Sequence, residues 1–373
     1  MMKVLQFVPS LNAYDGGTAT YMQQLTASLG KLCELHVCAL TPVKDFVPLE
    51  HCVPHNIPLS LWHFGQMKKA WMRLLEEVQP DVIHINCCWM PQIALVTHWA
   101  YVWRKKLSRP VVIVLTPHGM LEPWLISRNY WTRKLPAIWL YQRKAVRQCD
   151  LLIATAEEEK QHLSDLGWNL QIALVQNGID VQRIEMKSAW NKPQRLLFMS
   201  RVHPKKGLEM LFEALSRFNK CPFTLEIAGS GDAAYVEQLK RLVASLHLDS
   251  AVTFLGPVYG EDKWKLIRSA DVVVLPTYSE NYGLIVAEAL ASGTPVLTTT
   301  GTPWRSIEQQ ACGWWVNPTV EAIYEALVKI RDLSATDLEK MGRDGRLLAE
   351  NDCDIDVKVN QLYQLYLSKL AKE

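Results

Sequence analysis

The stretch SENYGLIVAEALASGTPV, residues 279–296, decides how the rest of the chain is read. Glu280 and Glu288 stand with seven residues between them, on either side of a turn marked by Gly283. Glu280 falls in a polar loop after the apolar run Val272–Leu275, and Leu284–Ala291 reads as a short amphipathic helix stopped by Ser292-Gly293. The first N–H groups of a helix have no intrahelical partner, and together with the helix dipole they attract phosphate. Amides around Gly283, Leu284 and Ile285 therefore face whatever Glu280 faces. One carboxylate before a helix start and one a turn inside it can hold two sugar rings with a phosphate between them. Taken alone, Glu280 could equally be a cap and Glu288 a solvated helix residue.

Outward from this segment, short apolar runs alternate with segments of helical period. Val4–Val8, Leu35–Leu40, Val82–Ile85, Val111–Leu115, Leu151–Thr155 and Ile172–Val175 read as strands, separated by helices such as Tyr21–Leu29, Ala70–Val78 and Pro136–Gln148. The pattern weakens after Gln176-Asn177-Gly178-Ile179-Asp180 and restarts beyond Trp190-Asn191-Lys192-Pro193 with Arg195–Met199, Phe223–Ala228, Val252–Leu255, Val272–Leu275 and Pro295–Thr298. Alternation of this kind means parallel sheets with helices on both faces. Two doubly wound α/β domains are expected, residues 1–190 and 191–354, each binding ligand outside the carboxyl ends of its strands. A last helix, 355–373, carries the apolar stripe Val357, Leu362, Leu365.

The 373 residues suffice for two such cores, and 49% hydrophobic with 21% charged residues excludes a disordered chain. No signal peptide and no apolar run of membrane length are read, and the opening KVLQFVP is a first buried strand. Nine cysteines, among them Cys33, Cys38 and Cys312, show no zinc spacing; reduced thiols and a cytoplasmic location are expected. The net charge is only +2, yet residues 60–149 hold 13 Lys and Arg against 4 Asp and Glu. Such a distribution points to a specific anionic surface rather than general polyanion binding.

Other loops carry candidate chemistry. Gly16-Gly17 separates the first strand from a helix, where glycines let a ligand approach the backbone. Ser200-Arg201-Val202-His203-Pro204-Lys205-Lys206-Gly207 follows the first strand of the second domain. A guanidinium and an ammonium there could neutralise a diphosphate without a metal, or form a merely solvated basic loop. Pro117-His118-Gly119 closes another strand. Gly229-Ser230-Gly231-Asp232-Ala233-Ala234 fits a dinucleotide fingerprint but lies inside a domain rather than on its first strand, which argues against NAD. Asp352-Cys353-Asp354-Ile355-Asp356 fails as a calcium loop because Val357 stands where glycine is needed. No metal site is expected. Between Trp124 and Arg147, Trp124, Tyr130, Trp131, Trp139 and Tyr141 alternate with Arg128, Arg133, Lys134, Arg143, Lys144 and Arg147, without one acid. That composition suits an anionic membrane interface or an acceptor surface; no nucleic-acid recognition fold is visible.

In order and content these pieces resemble the retaining glycosyltransferases of family 4, with their GT-B fold of two Rossmann-like domains facing across a cleft. The resemblance runs from Gly16-Gly17 to the helix after Gly313. It implies a metal-independent hexosyltransferase using a UDP-, GDP- or ADP-sugar and no cofactor. Arg201 and Lys206 are implied at the donor pyrophosphate, with Gly17 against the donor phosphates and Gly283, Leu284 and Ile285 giving backbone amides. Glu280 and His118 would hold the sugar, Glu288 the ribose and Val258 the base through its backbone. His118, Glu280, Arg201 and Lys206 are thus the implied catalytic set. In relatives the final helix returns to the first domain. The text Met120-Leu121-Glu122-Pro123-Trp124 resembles a subgroup that builds bacterial surface polysaccharide and lipopolysaccharide. A glycan or lipid-linked acceptor and a peripheral membrane location are expected. A sugar-nucleotide epimerase, or a non-catalytic sugar-nucleotide binder on the same fold, is the competing reading.

Overall fold

The computed structural model describes residues 1–12, 17–40, 47–58, 64–127 and 129–372. Gly16 of the glycine-rich loop and Arg128 of the basic tract fall outside them. The chain forms two compact units, Met1–Gly178 with Ile355–Glu373, and Ile179–Asp354.

The first unit is built on seven strands: β1 (Lys3–Val8), β2 (Glu34–Ala39), β3 (Val53–Asn56), β4 (Val82–Asn86), β5 (Val112–Thr116), β6 (Leu151–Ala154) and β7 (Ile172–Leu174). They run parallel in the order β3-β2-β1-β4-β5-β6-β7. Side chains alternate across a strand. Leu5, Phe7, Ile83, Ile85, Ile113 and Leu115 accordingly enter one core cluster, while Val4, Val8, Val82, Val112 and Val114 enter another on the opposite face. The helix Ile355–Leu370 belongs to the second cluster through Ile355, Val359, Leu362 and Tyr366. The expected stripe is thus displaced: Val357 is 48% exposed, because the buried positions follow Ile355 at helical spacing.

The second unit has six strands: β8 (Arg195–Met199), β9 (Thr224–Ala228), β10 (Val252–Gly256), β11 (Val272–Leu275), β12 (Val296–Thr299) and β13 (Gly313–Val316). Their order, β10-β9-β8-β11-β12-β13, is again all parallel around a single core cluster. Both sheets are doubly wound. Strand order reverses between β1 and β4 in one unit and between β8 and β11 in the other, where such folds bind ligands.

Residues 179–190, expected in the first domain, cluster with the second unit. The cause is local: Lys187 Nζ donates to Ala270 O at 2.6 Å and Trp190 Nε1 to Gly293 O at 2.9 Å. Apart from the one-turn 3-10 helix Val181–Arg183, side-chain anchors hold this segment, so it shows no periodicity. The edge strand β3 is invisible as a run, since Val-Pro-His-Asn offers one apolar residue and a proline tolerated only at a sheet edge, whereas β13, Gly-Trp-Trp-Val, carries an apolar run that is not among the expected strands.

Candidate active site

In the second unit the reversal point brings two motif loops together. The loop after β8 forms a 3-10 turn, Pro204–Lys206, and the loop after β11 runs to Gly283. They are zipped by the Lys205 carbonyl, which accepts from Thr277 Oγ1 at 3.0 Å and Tyr278 N at 2.9 Å. This register sets Lys206 Nζ on Glu280 Oε2 in a short ion pair, with both side chains at most one-fifth exposed. Gly207 has φ +66°, and a Cβ there would lie 2.2 Å from Pro276 O, so only glycine lets the loops meet.

The helix Leu284–Ala291 starts from Gly283, whose φ of +79° is left-handed. Glu280 N donates to Gly301 O at 2.6 Å, holding the acid before the helix. The helix is not amphipathic as expected, since every residue from Ile285 to Ala291 is buried. Glu288 is therefore buried too, at 5% exposure, and it pairs with Lys263 Nζ at 2.5 Å. Lys263 lies on the helix Gly260–Ser269, and nothing in its local sequence marks it; only the fold shows its partner. Arg201 is exposed and has no ion pair or hydrogen bond among the described residues. Val258 lines a depression of about 540 Å³ with Leu255, Pro257 and Tyr259.

The arrangement modifies the simple picture of two free cations. An ammonium has three donors. Glu280 takes one, so Lys206 keeps two while its charge is largely balanced. Arg201 supplies the unbalanced charge.

The Gly-x-Gly segment after β9 serves its neighbour. A Cβ on Gly229 would lie 1.8 Å from Ser200 O, and one on Gly231 2.4 Å from Val202 O; Val202 N donates to Ser230 O at 2.8 Å. These glycines seat the Arg201 loop. Among the described residues no group of three or more His, Cys, Asp or Glu could hold a metal ion.

In the first unit His118 follows β5 with φ +54°, a left-handed conformation unusual for a residue with a side chain. Gly119 N donates to Glu159 Oε1 at 2.5 Å, and Glu159 Oε2 accepts from Thr155 N and Thr155 Oγ1 at 2.8 and 2.9 Å. Burial pushes the Glu159 carboxyl up. His118 Nε2 lies 2.9 Å from Asn86 Oδ1, its ring packs edge-on to Tyr21 at 5.3 Å, and burial lowers its pKa to about 4. The imidazole is thus neutral at physiological pH. Asn86 and Glu159 were missed from the sequence; Asn86 is a polar end to the buried strand Val-Ile-His-Ile-Asn, the one local signal available. Gly17 opens the helix Gly17–Leu29, with nothing described within 4 Å of where its Cβ would stand. Gly178 of the Asn-Gly turn lies against the last helix, 2.7 Å separating its built Cβ from Ile355 Cα.

The aromatic-basic tract holds a short helix, Pro123–Ser127, and alternating π and α turns from Tyr130 to Arg147, so the expected helix Pro136–Gln148 is part π-helical. Tyr141 Oη bonds Trp89 O at 2.7 Å and Lys134 Nζ sits 3.5 Å from the Trp89 ring centroid, so these two turn inward. Trp131 and Trp139 remain 78% and 77% exposed, among exposed Arg133, Arg143, Lys144 and Arg147.

Comparison with known proteins agrees with this architecture. Residues 15–183 match the family model described as Glycosyltransferase Family 4, and residues 180–347 match that described as Glycosyl transferases group 1. A curated D-inositol 3-phosphate glycosyltransferase of Geodermatophilus obscurus is 30% identical over 274 residues, 67% of this chain and 58% of that protein. The chain spans from 39% to 58% of the first curated relatives it matches. Among solved structures, sucrose-phosphate synthase from Thermosynechococcus elongatus superposes with TM-score 0.82 at 20% identity, over 100% of both chains. HepE of Anabaena, in complex with UDP and glucose, gives 0.77 at 18%, over 99% of this chain and 100% of that one. At those identities the structures show the fold. It is the two-domain α/β fold of glycosyltransferases, GT-B in type. More particularly, the first part of the chain is similar to family 4 glycosyltransferase domains and the second to group 1 glycosyltransferase domains.

Proposed function

We propose that this chain is a metal-independent, retaining hexosyltransferase. It moves a sugar from a nucleoside-diphosphate donor to a hydroxyl of a glycan or lipid-linked acceptor, in bacterial surface polysaccharide or lipopolysaccharide assembly. The observation that carries the reading is the Lys206–Glu280 pair, set at the strand-order reversal beside the start of the helix Leu284–Ala291. Breaking the bond between sugar C1 and phosphate oxygen leaves negative charge on the diphosphate. The two remaining N–H donors of Lys206, the Arg201 guanidinium and the amides after Gly283 stabilise it; preorganised donors each contribute about 10²–10³ in rate. Glu280 binds a sugar hydroxyl, Glu288 the ribose hydroxyls, the Val258 backbone the base, and Gly17 lets the donor phosphates approach. Neutral His118 accepts from a sugar hydroxyl. The departing phosphate oxygen takes the acceptor proton as the new bond forms on the same face, so no protein nucleophile is required. HepE, solved with UDP and glucose, supports a UDP-sugar as the first donor to try.

The exposed Trp131 and Trp139 with their neighbouring cations suit a peripheral site on the inner membrane face, near a lipid-linked acceptor. Among the described residues no helix is long and apolar enough to cross a membrane. The test is turnover of UDP-, GDP- and ADP-sugars by the purified chain with excess EDTA, products followed by NMR. Anomeric retention with undiminished activity is expected. Loss on chelation or an inverted product would refute the assignment, and a rearranged free sugar formed without acceptor would favour an epimerase.

A further inference from the structure

The first unit contains a chain of polar side chains sealed inside its sheet. Gln6 on β1, His84 and Asn86 on β4, Thr116 on β5 and Tyr366 on the last helix are each no more than 2% exposed. Buried polar groups persist only when bonded, and here the bonds have a readable direction. Asn86 Nδ2 lies 2.9 Å from Gln6 Oε1 and 3.1 Å from the Phe7 carbonyl. Both neighbours are acceptors, so the amide orientation of Asn86 is decided and its Oδ1 must face His118. An oxygen there accepts, so His118 Nε2 carries the proton and its Nδ1 presents a lone pair.

The remaining members lock Gln6 in turn. Its Nε2 lies 3.2 Å from both His84 Nδ1 and Tyr366 Oη. Tyr366 Oη is 2.5 Å from His84 Nδ1, and His84 Nε2 is 2.7 Å from Thr116 Oγ1. With the single Nδ1 lone pair taken by the Tyr366 hydroxyl, Gln6 Nε2 donates to Tyr366 Oη and His84 donates from Nε2 to Thr116 Oγ1, a proton assignment without conflict. Burial holds His84 neutral, its pKa lowered to about 3.

We propose that Asn86 is a positioning residue that holds His118 in its Nε2–H tautomer, so that Nδ1 is a fixed acceptor, with Gln6 and Tyr366 of the last helix setting the register. The use of that acceptor for a sugar hydroxyl rests on the function proposed above, whereas the tautomer itself does not. Among the described residues, the titratable groups near His118 are Tyr21 from the first helix, His84 from β4 and, bonded to Gly119 N, the buried Glu159. None of these is a cation or an exposed carboxylate able to set the proton instead.

The test uses the full chain with ¹⁵N-labelled histidine, His118→Gln serving to assign the resonances. In wild type His118 is expected neutral with its proton on Nε2 from pH 8 to about 5.5. In Asn86→Leu the two ring nitrogens move toward a shared, averaged shift as both tautomers populate. In Asn86→Asp, which keeps the shape but places a carboxylate against the ring, an opposite charge raises the pKa by about 1–3 units. His118 then titrates well above its wild-type range. A wild-type proton on Nδ1, or an Asn86→Leu spectrum identical to wild type, would overturn the proposal. So would an Asn86→Asp titration left at the wild-type position. Because no donor or acceptor is needed, these outcomes are independent of whether His118 contacts sugar, which activity of His118→Gln decides.

Discussion

The two units treat buried polarity in opposite ways. In the first, the side chains bonded in series from His118 are neutral groups: amides, imidazoles, a phenol and a hydroxyl share protons in a sealed chain. In the second, both acids of the motif segment are matched by lysines, Glu280 by Lys206 and Glu288 by Lys263. On the function proposed above, the contrast suits one reversal point to orienting a neutral ligand and the other to meeting an anion. A neutral network gives direction without long-range field. Paired ions give stronger, charge-assisted bonds and keep a local charge balance that an arriving diphosphate must alter.

The contrast breaks first at Lys206. Lys206→Met should lower turnover of the accepted nucleotide sugar by about 10²–10³. Steady-state kinetics will show a loss in kcat more than in KM, whereas a change of only a few-fold would mean that the pair is structural. Next comes Lys263→Met, which strands the buried Glu288 carboxylate. A buried charge left without its partner costs about 3–5 kcal/mol, read as a lower denaturant midpoint for the second unit. An unchanged midpoint would show that solvent already serves Glu288.

The neutral side is sharpened by pH. His84 and His118 have burial-lowered pKa values, about 3 and about 4 against 6.5 when exposed. The unfolded chain therefore takes up protons first. Stability present above pH 6.5 should be lost as pH falls from 6.5 toward 4. Melting curves of His118→Gln should fall less steeply over that window than wild type, and equal slopes would deny the burial effect. The smallest effect is at the surface. Trp131→Ser with Trp139→Ser should leave stability within about 0.5 kcal/mol, while sedimentation with vesicles containing anionic lipid drops. Unaltered sedimentation would remove the membrane reading.

Much of this was legible. Central strands such as Val272–Leu275 and, after Arg195, Leu196–Met199 are continuous apolar runs, and the helix Leu284–Ala291 had its turn glycine and its stop. Lys206 and Glu280, 74 positions apart, were both singled out, and the fold brings them into contact. What stayed hidden depends on neighbours distant in sequence. Lys263 looks like any helix lysine until Glu288 is seen beside it. Asn86 and Glu159 gain meaning only through His118 and Gly119. The helix Leu284–Ala291 reads as amphipathic but is buried from Ile285 to Ala291, a property of its surroundings rather than of its own pattern. The π turns between Tyr130 and Gln142 follow from packing too, and no residue type announces them.

The proposed anion binding by the second unit is tested most directly by calorimetric titration of UDP, GDP and ADP into the full chain and its Arg201→Ala/Lys206→Met variant, both in EDTA. Saturable binding of at least one diphosphate to wild type, weakened about a hundredfold or more in the variant, is the predicted result. Equal affinity in both proteins, or no binding of any of the three, would contradict it.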